Sequence, residues 1–208
     1  MLFVLGNVLG FTCLDNRLYV VYWDRPTIHV YTADTLSEVS VITVDGLVDP
    51  VDIVACHDDH QLYVINWRSS IWRVSAVNPT DYEKWLTIDD AFLNLYTLSL
   101  FSNPYTLSLT SRRILVTSRS SATLHQYSTV NKELLRVIKL PDSVKMSTHA
   151  VETSRDTFVV SHLQPHNGVS ELFSFILCLL VLHHYGTVAK CQYHRLGGSP
   201  NLLYKPMR

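Results

Sequence analysis

Arg17-Leu18-Tyr19-Val20-Val21 recurs 44 residues later as Gln61-Leu62-Tyr63-Val64-Ile65, each run preceded by polar turn formers, Asp15-Asn16 and then Asp59-His60. A third copy reads Arg113-Ile114-Leu115-Val116-Thr117. A fourth, Asp156-Thr157-Phe158-Val159-Val160, lies 43 residues further on and shares the lead-in of the third: Thr110-Ser111-Arg112 against Thr153-Ser154-Arg155. The step from second to third copy is 52, but the chain there repeats a pentapeptide, Tyr96 to Leu100 and again Tyr105 to Leu109, both reading YTLSL. Removing that nine-residue duplication restores 43. A fixed period in this range marks propeller blades or solenoid repeats.

Within each period the apolar residues come in short β-branched and aromatic runs separated by turn residues, which predicts four short strands per repeat and no helices. The first repeat is read as strands over 8–14, 18–23, 27–32 and 38–44. The second gives 51–56, 61–67, 71–76 and 84–88, the third 107–109, 113–118, 123–128 and 134–140, and the fourth 149–152, 157–162 and 169–173. The expected fold is therefore all-β, a partial or open β-propeller of about four blades with four-stranded antiparallel blades. It occupies residues 1–173, with blades at about 8–50, 51–94, 95–146 and 147–173. An atypical apolar tail follows at 174–208.

The repeat resembles a blade of the NHL-type propellers of tripartite-motif proteins. The residues that carry the likeness are Leu18-Tyr19-Val20-Val21 with Ile28-His29-Val30-Tyr31, Leu62-Tyr63-Val64-Ile65 with Ile71-Trp72-Arg73-Val74, and Ile114-Leu115-Val116-Thr117 with Leu124-His125-Gln126-Tyr127. They are similar to that family's "LYVAD"-like strand followed by an "RIQVF"-like strand. The resemblance implies about six blades, so the chain reads as a fragment of a longer propeller in which residues 1–5 form the last strand of a preceding blade. The alternative is a complete four-bladed ring. The same resemblance suggests ubiquitin-ligase scaffolds and, for some members, RNA binding.

Composition bounds the function. The chain has 208 residues, 17% charged and 47% apolar, with a net charge of −1, which excludes disorder and collagen and leaves room for a sizeable core. Residues 1–171 hold all 18 acidic and 13 of the 17 basic residues, a net −5. That balance opposes the counterion release on which RNA binding relies. A basic group, Arg25, Arg68, Arg112, Arg113 and Arg119, keeps RNA as an alternative partner. The four cysteines, Cys13, Cys56, Cys178 and Cys191, form no CxxC pair, which points to a reducing, cytoplasmic setting. After Glu171 the repeat motif stops, and residues 172–182 are apolar except for Ser174. Eleven residues are too few to span a bilayer as a helix, which takes roughly 20, so a membrane role is not expected.

No catalytic motif stands out, and no cofactor or metal is expected. His57-Asp58-Asp59-His60 reads as a solvated turn, and His183-His184 with Cys191 and His194 lacks paired zinc spacing. A six-bladed lactonase-like hydrolase is the enzymatic alternative, but the inner strands offer a metal only Asp52 and Glu152. Five residues beyond Leu18, Leu62, Ile114 and Thr157 stand Trp23, Trp67, Arg119 and His162, with Arg25 and Arg68 close by. Propeller symmetry brings such positions to one face, and Trp and Arg are the residues most enriched in binding hot spots. The sequence thus predicts a non-catalytic recognition module for a protein partner, with Trp23, Arg25, Trp67, Arg68, Arg119 and His162 as its candidate face.

Overall fold

A computed structural model describes residues 8–67, 70–88, 105–110, 112–118, 123–142, 144, 147–154, 156–165, 173–183 and 186–192. All regular structure among them is β. The first sheet joins β1 (Val8–Leu14), β2 (Arg17–Tyr22), β3 (Thr27–Thr32) and β4 (Glu38–Thr43), and the second β5 (Pro50–Cys56), β6 (Gln61–Asn66), β7 (Ser70–Ser75) and β8 (Tyr82–Thr87). The third joins β9 (Tyr105–Thr110), β10 (Arg113–Ser118), β11 (Thr123–Ser128) and β12 (Leu134–Lys139). The fourth joins β13 (Ser147–Ser154), β14 (Thr157–Pro165), β15 (Phe173–His183) and β16 (Gly186–Gln192). Each sheet is an antiparallel meander in chain order. The first strands β1, β5, β9 and β13 stand side by side in that order, which makes the sheets blades about one axis. Among the described residues no comparable packing joins β13 back to β1, so the four blades form an open arc.

The repeat is visible in the backbone as well as in the side chains. Asn16, His60, Arg112 and Asp156 each directly precede the second strand of their blade, and all four adopt left-handed φ values of 58°, 52°, 60° and 63°. That conformation is costly for L-residues, and Asn, Asp and His tolerate it best, which explains the polar lead-ins of the repeat. The turn is fixed from the third strand: the Ala33, Ala76 and Thr129 N–H groups donate to the carbonyls of Asn16, His60 and Arg112 at 3.0, 2.9 and 2.9 Å. A second device lies on the inner strands. Bulges after Val8, Pro50 and Ser147 set Gly10, Asp52 and His149 opposite Val21, Ile65 and Ser161.

Alternation of side chains along β2, β6, β10 and β14 gives each blade two apolar faces, one for each neighbour. Tyr19, Val21, Ile28 and Ile42 of blade 1 meet Ile53, Leu62, Val64 and Trp72 of blade 2. Tyr63, Ile65, Ile71 and Trp85 then meet Leu107, Ile114 and Val116 of blade 3, and Leu115, Leu124 and Ile138 meet Ala150, Phe158 and Val160 of blade 4. Fully burying one such side chain is worth roughly 1.5–3 kcal/mol, so the joints dominate stability. Polar stitches align them: the Ala55 N–H donates to Thr12 Oγ1 at 3.2 Å and the Leu107 N–H to Asp52 Oδ2 at 2.8 Å. At Gly10 the blades approach so closely that a Cβ would lie 2.8 Å from Asp52 Cα. Leu62 and Leu115 are buried as their place in the repeat demands. Leu18 is only half-buried, because its side of blade 1 is the one that a preceding blade covers at every other joint.

Most predicted strands fall within a residue or two of the observed ones. The second YTLSL copy supplies β9, while the first copy, Asp89-Asp90 and residues 1–5 lie outside the described residues. The larger correction concerns the expected tail. Phe173–His183 pairs with β14 from Pro165↔Phe173 to Thr157↔Val181, and Gly186–Gln192 pairs with β15, so the two strands complete blade 4. The repeat motif marks only second and third strands, and an uninterrupted apolar run is equally suited to a strand flanked on both sides. Among the described residues no helix is long and apolar enough to cross a membrane. Deleting residues 174–208 removes the partner strand of β14; circular dichroism is expected to show a loss of strand signal and a lower melting temperature, and unchanged spectra would contradict this pairing.

Candidate functional site

Trp23 and Trp67 directly follow β2 and β6, at the same end of neighbouring blades, and the period brings their rings into contact. The centroids are 5.0 Å apart with planes at 86°, an edge-to-face pair that is worth about 0.5–1.5 kcal/mol beyond its buried area. Both indoles are half-buried against the core between blades 2 and 3. The Trp67 N–H donates to the Asp49 carbonyl at 2.9 Å, which holds the pair on a fixed turn. Arg25, two residues beyond Trp23, is exposed, with its guanidinium carbon 5.1 Å from the centroid of the Tyr22 ring.

Of the other expected members of this face, His162 does not join it. Arg68 and Arg119 lie outside the described residues. His162 is 2% exposed and stands inside β14, which continues to Pro165. Counted from the left-handed turn residues Asn16, His60 and Asp156, His162 matches Tyr22 and Asn66, the last residues of β2 and β6, one residue short of Trp23 and Trp67.

The inner strands enclose a recess of about 290 Å³ lined by Phe11, Thr12, Asp52, Ile53, Val54, Ala55, Leu107, Ser108, Leu109 and His149. Burial pushes the Asp52 carboxyl up to about 6, partly offset by the N–H groups of Leu107 and Ile53 that it accepts. Burial also lowers the pKa of His149. Glu152, the second carboxylate expected at the axis, instead lies in the joint between blades 3 and 4, accepting from Gln126 Nε2 at 2.8 Å and Arg136 at 3.1 Å. Among the described residues no group of three His, Cys, Asp or Glu side chains could hold a metal. His60 and Asp58 of the turn in blade 2 are spent on neighbouring blades, at 2.7 Å from Asp15 and 3.8 Å from Arg112. The side chains of His183, His184, Cys191 and His194 lie outside those described.

The raised carboxyl of Asp52 has a signed consequence. The folded state holds this proton up to about pH 6 while the unfolded chain releases it near 4, so protonation favours folding at pH 4 and that contribution is lost as pH rises through 6. The stability of the wild type relative to Asp52→Asn is expected to fall by on the order of 2 kcal/mol between pH 4 and pH 7. Urea titrations at both pH values measure it. An unchanged difference would count against burial of this carboxyl.

Sequence reasoning missed the opposite side of blade 1. Phe11 is 67% exposed, Val39 50% and Val41 44%, beside an exposed Cys13 thiol and the half-buried Leu18, Tyr22 and Tyr31. Tyr22 meets His29 edge-on at 4.9 Å, and the Tyr22 and Tyr31 hydroxyls are 3.0 Å apart. The signal was present in the alignment of repeats: Phe11, Leu18 and Val20 occupy the positions of Ile53, Leu62 and Val64.

No protein-family model matches the sequence, and no curated protein matches it. Solved structures do. Hydrazine synthase of Kuenenia stuttgartiensis is similar over 94% of this chain and 68% of its own, at a TM-score of 0.56 and 13% identity. The likeness is one of fold. A chain of the mitotic checkpoint complex is similar over 86% of this chain and 49% of its own, at 0.55 and 8% identity. A chain of the nidogen/laminin complex follows at 88% and 74%, with a TM-score of 0.53 and 9% identity. All three are β-propeller-type folds, and this chain spans about half the length of the second.

Proposed function

We propose that the chain is a non-catalytic recognition module that binds a protein partner through the loop face carrying Trp23, Arg25 and Trp67. The observation that carries this reading is the half-exposed tryptophan pair on a fixed turn, with the exposed Arg25 over the Tyr22 ring two residues beyond Trp23. Large amphipathic rings held in place bury much area at little entropic cost, and Trp and Arg anchor most interface hot spots. Two of the structures similar in fold were solved as protein complexes, which is compatible with this role. The positions of Arg112 beside Asp58 and of Arg113 beside Glu152 favour a protein over RNA, since both guanidinium groups already face carboxylates. The NHL-like repeat and a cytoplasmic setting belong to the same proposal; the free thiols of Cys13 and Cys56 support a reducing compartment.

The test compares purified wild-type, Trp67→Ala and Arg25→Glu chains as baits after chemical cross-linking, with melting temperatures measured on the same samples. A shared set of cross-linked proteins should be lost with Arg25→Glu at unchanged melting temperature, and its affinity should fall by roughly 2 kcal/mol or more with Trp67→Ala. Identical cross-linked sets from all three chains would overturn the reading.

A further inference from the structure

The three joints inside the arc define what a covered blade face looks like. On the receiving side Ile53, Leu62 and Val64 of blade 2, Leu107, Ile114 and Val116 of blade 3, and Ala150, Phe158 and Val160 of blade 4 are all 3% exposed or less. On the delivering side the same holds for Tyr19 with Val21, Tyr63 with Ile65, and Leu115 with Thr117. The two ends of the arc carry the same positions uncovered. At the leading end Phe11 is 67% exposed and Leu18 half-buried; at the trailing end Val159 and Ser161 are half-buried and Val151 is 37% exposed.

We infer that a second copy of this chain docks head to tail, the trailing face of blade 4 covering the leading face of blade 1. The surface continues a contact already made three times within the chain, and one molecule carries both halves of it. Two copies present both halves of the contact to each other. Two arcs bring eight blades together, within the range of closed propellers. A contact between different faces closes into a ring when the rotation permits, and two such joints then form at once. Trp23 and Trp67 stand apart from this surface while Arg25 lies over Tyr22 on it, so Trp67→Ala is the variant that separates the two readings.

Light scattering on the size-separated protein decides the first point with no variant. The expected mass in the micromolar range is twice the 23.7 kDa of the chain; a single-chain mass at every concentration overturns the inference and leaves the face to another partner. Phe11→Asp and Val151→Asp alter exposed residues at opposite ends, and each is expected to give the single-chain mass with an unchanged strand signal by circular dichroism. Mixed in equal amounts, the two variants should regain the double mass, because each retains the half that the other lacks. Persistent dimers in both variants, or a mixture that stays monomeric, would equally contradict head-to-tail docking.

Discussion

Truncating Phe158 to Ala is expected to cost about 3–5 kcal/mol of unfolding free energy, a large part of what a domain of this size possesses. Phe158 is fully buried in the joint between blades 3 and 4, among Leu115, Leu124, Ile138 and Val160. The Arg136 guanidinium carbon lies 5.3 Å from its ring centroid, so the change also removes a cation–π contact. Neighbours on two different blades can collapse into the gap only by moving a whole sheet. Urea unfolding followed by circular dichroism measures the loss, and Phe158→Leu should recover much of it. A cost below about 1 kcal/mol for the alanine variant would mean that this joint does not exist in solution.

Glu152→Ala is expected to cost about 2–4 kcal/mol, through charge and not volume. Its side chain is 1% exposed, accepts from Gln126 and Arg136, and lies 3.8 Å from Arg113. Arg136 is also bonded to Asp156 and to Gln126 Oε1, so four side chains from blades 3 and 4 form one network. Removing the carboxylate leaves Arg136 and Arg113 facing a dry joint, although side-chain exposures of 27% and 32% let water soften the penalty. A double variant, Glu152→Leu with Arg136→Leu, should be more stable than the two single losses added together, because the buried carboxylate and the cation hydrogen-bonded to it leave the joint together. Strict additivity in that cycle would show that the groups do not interact.

These two residues also mark how far the sequence could be read. Phe158 sits in the weakest copy of the repeat, and its spacing alone assigns it to a second strand; the same count aligns it with Leu115, whereas counted from the turn residues Arg112 and Asp156 it matches Ile114 and takes the face that meets Leu115. Glu152 was legible as an inner-strand carboxylate but not as part of a network, since Gln126 and Arg136 lie 26 and 16 residues away in the chain and meet it only across a joint. The bulge positions Gly10, Asp52 and His149 share no residue type, because what repeats there is backbone geometry. Trp23 and Trp67 were found by counting from the repeat. That they touch depends on the angle between blades, which no local pattern encodes. His162 was placed by the same count and misassigned, because the fourth copy was aligned one residue out of step with the turn residue Asp156 that opens its second strand. The apolar run from 172 to 182 was ambiguous for a different reason: β15 carries no polar turn within it and no copy of the motif, so only its pairing with β14 reveals it as a blade strand.

Four copies of one short motif are the second strands of four blades, each bonded on both sides. Hydrogen exchange of the intact protein, resolved by peptide mass spectrometry, tests it directly, because amides paired within buried central strands open only with their sheet. Slow exchange is expected in four separate patches, over residues 19–21, 62–65, 114–117 and 158–160, with faster exchange in the more exposed outer strands β4 and β12. Protection confined to one contiguous stretch, or absent from any of the four patches, would contradict it.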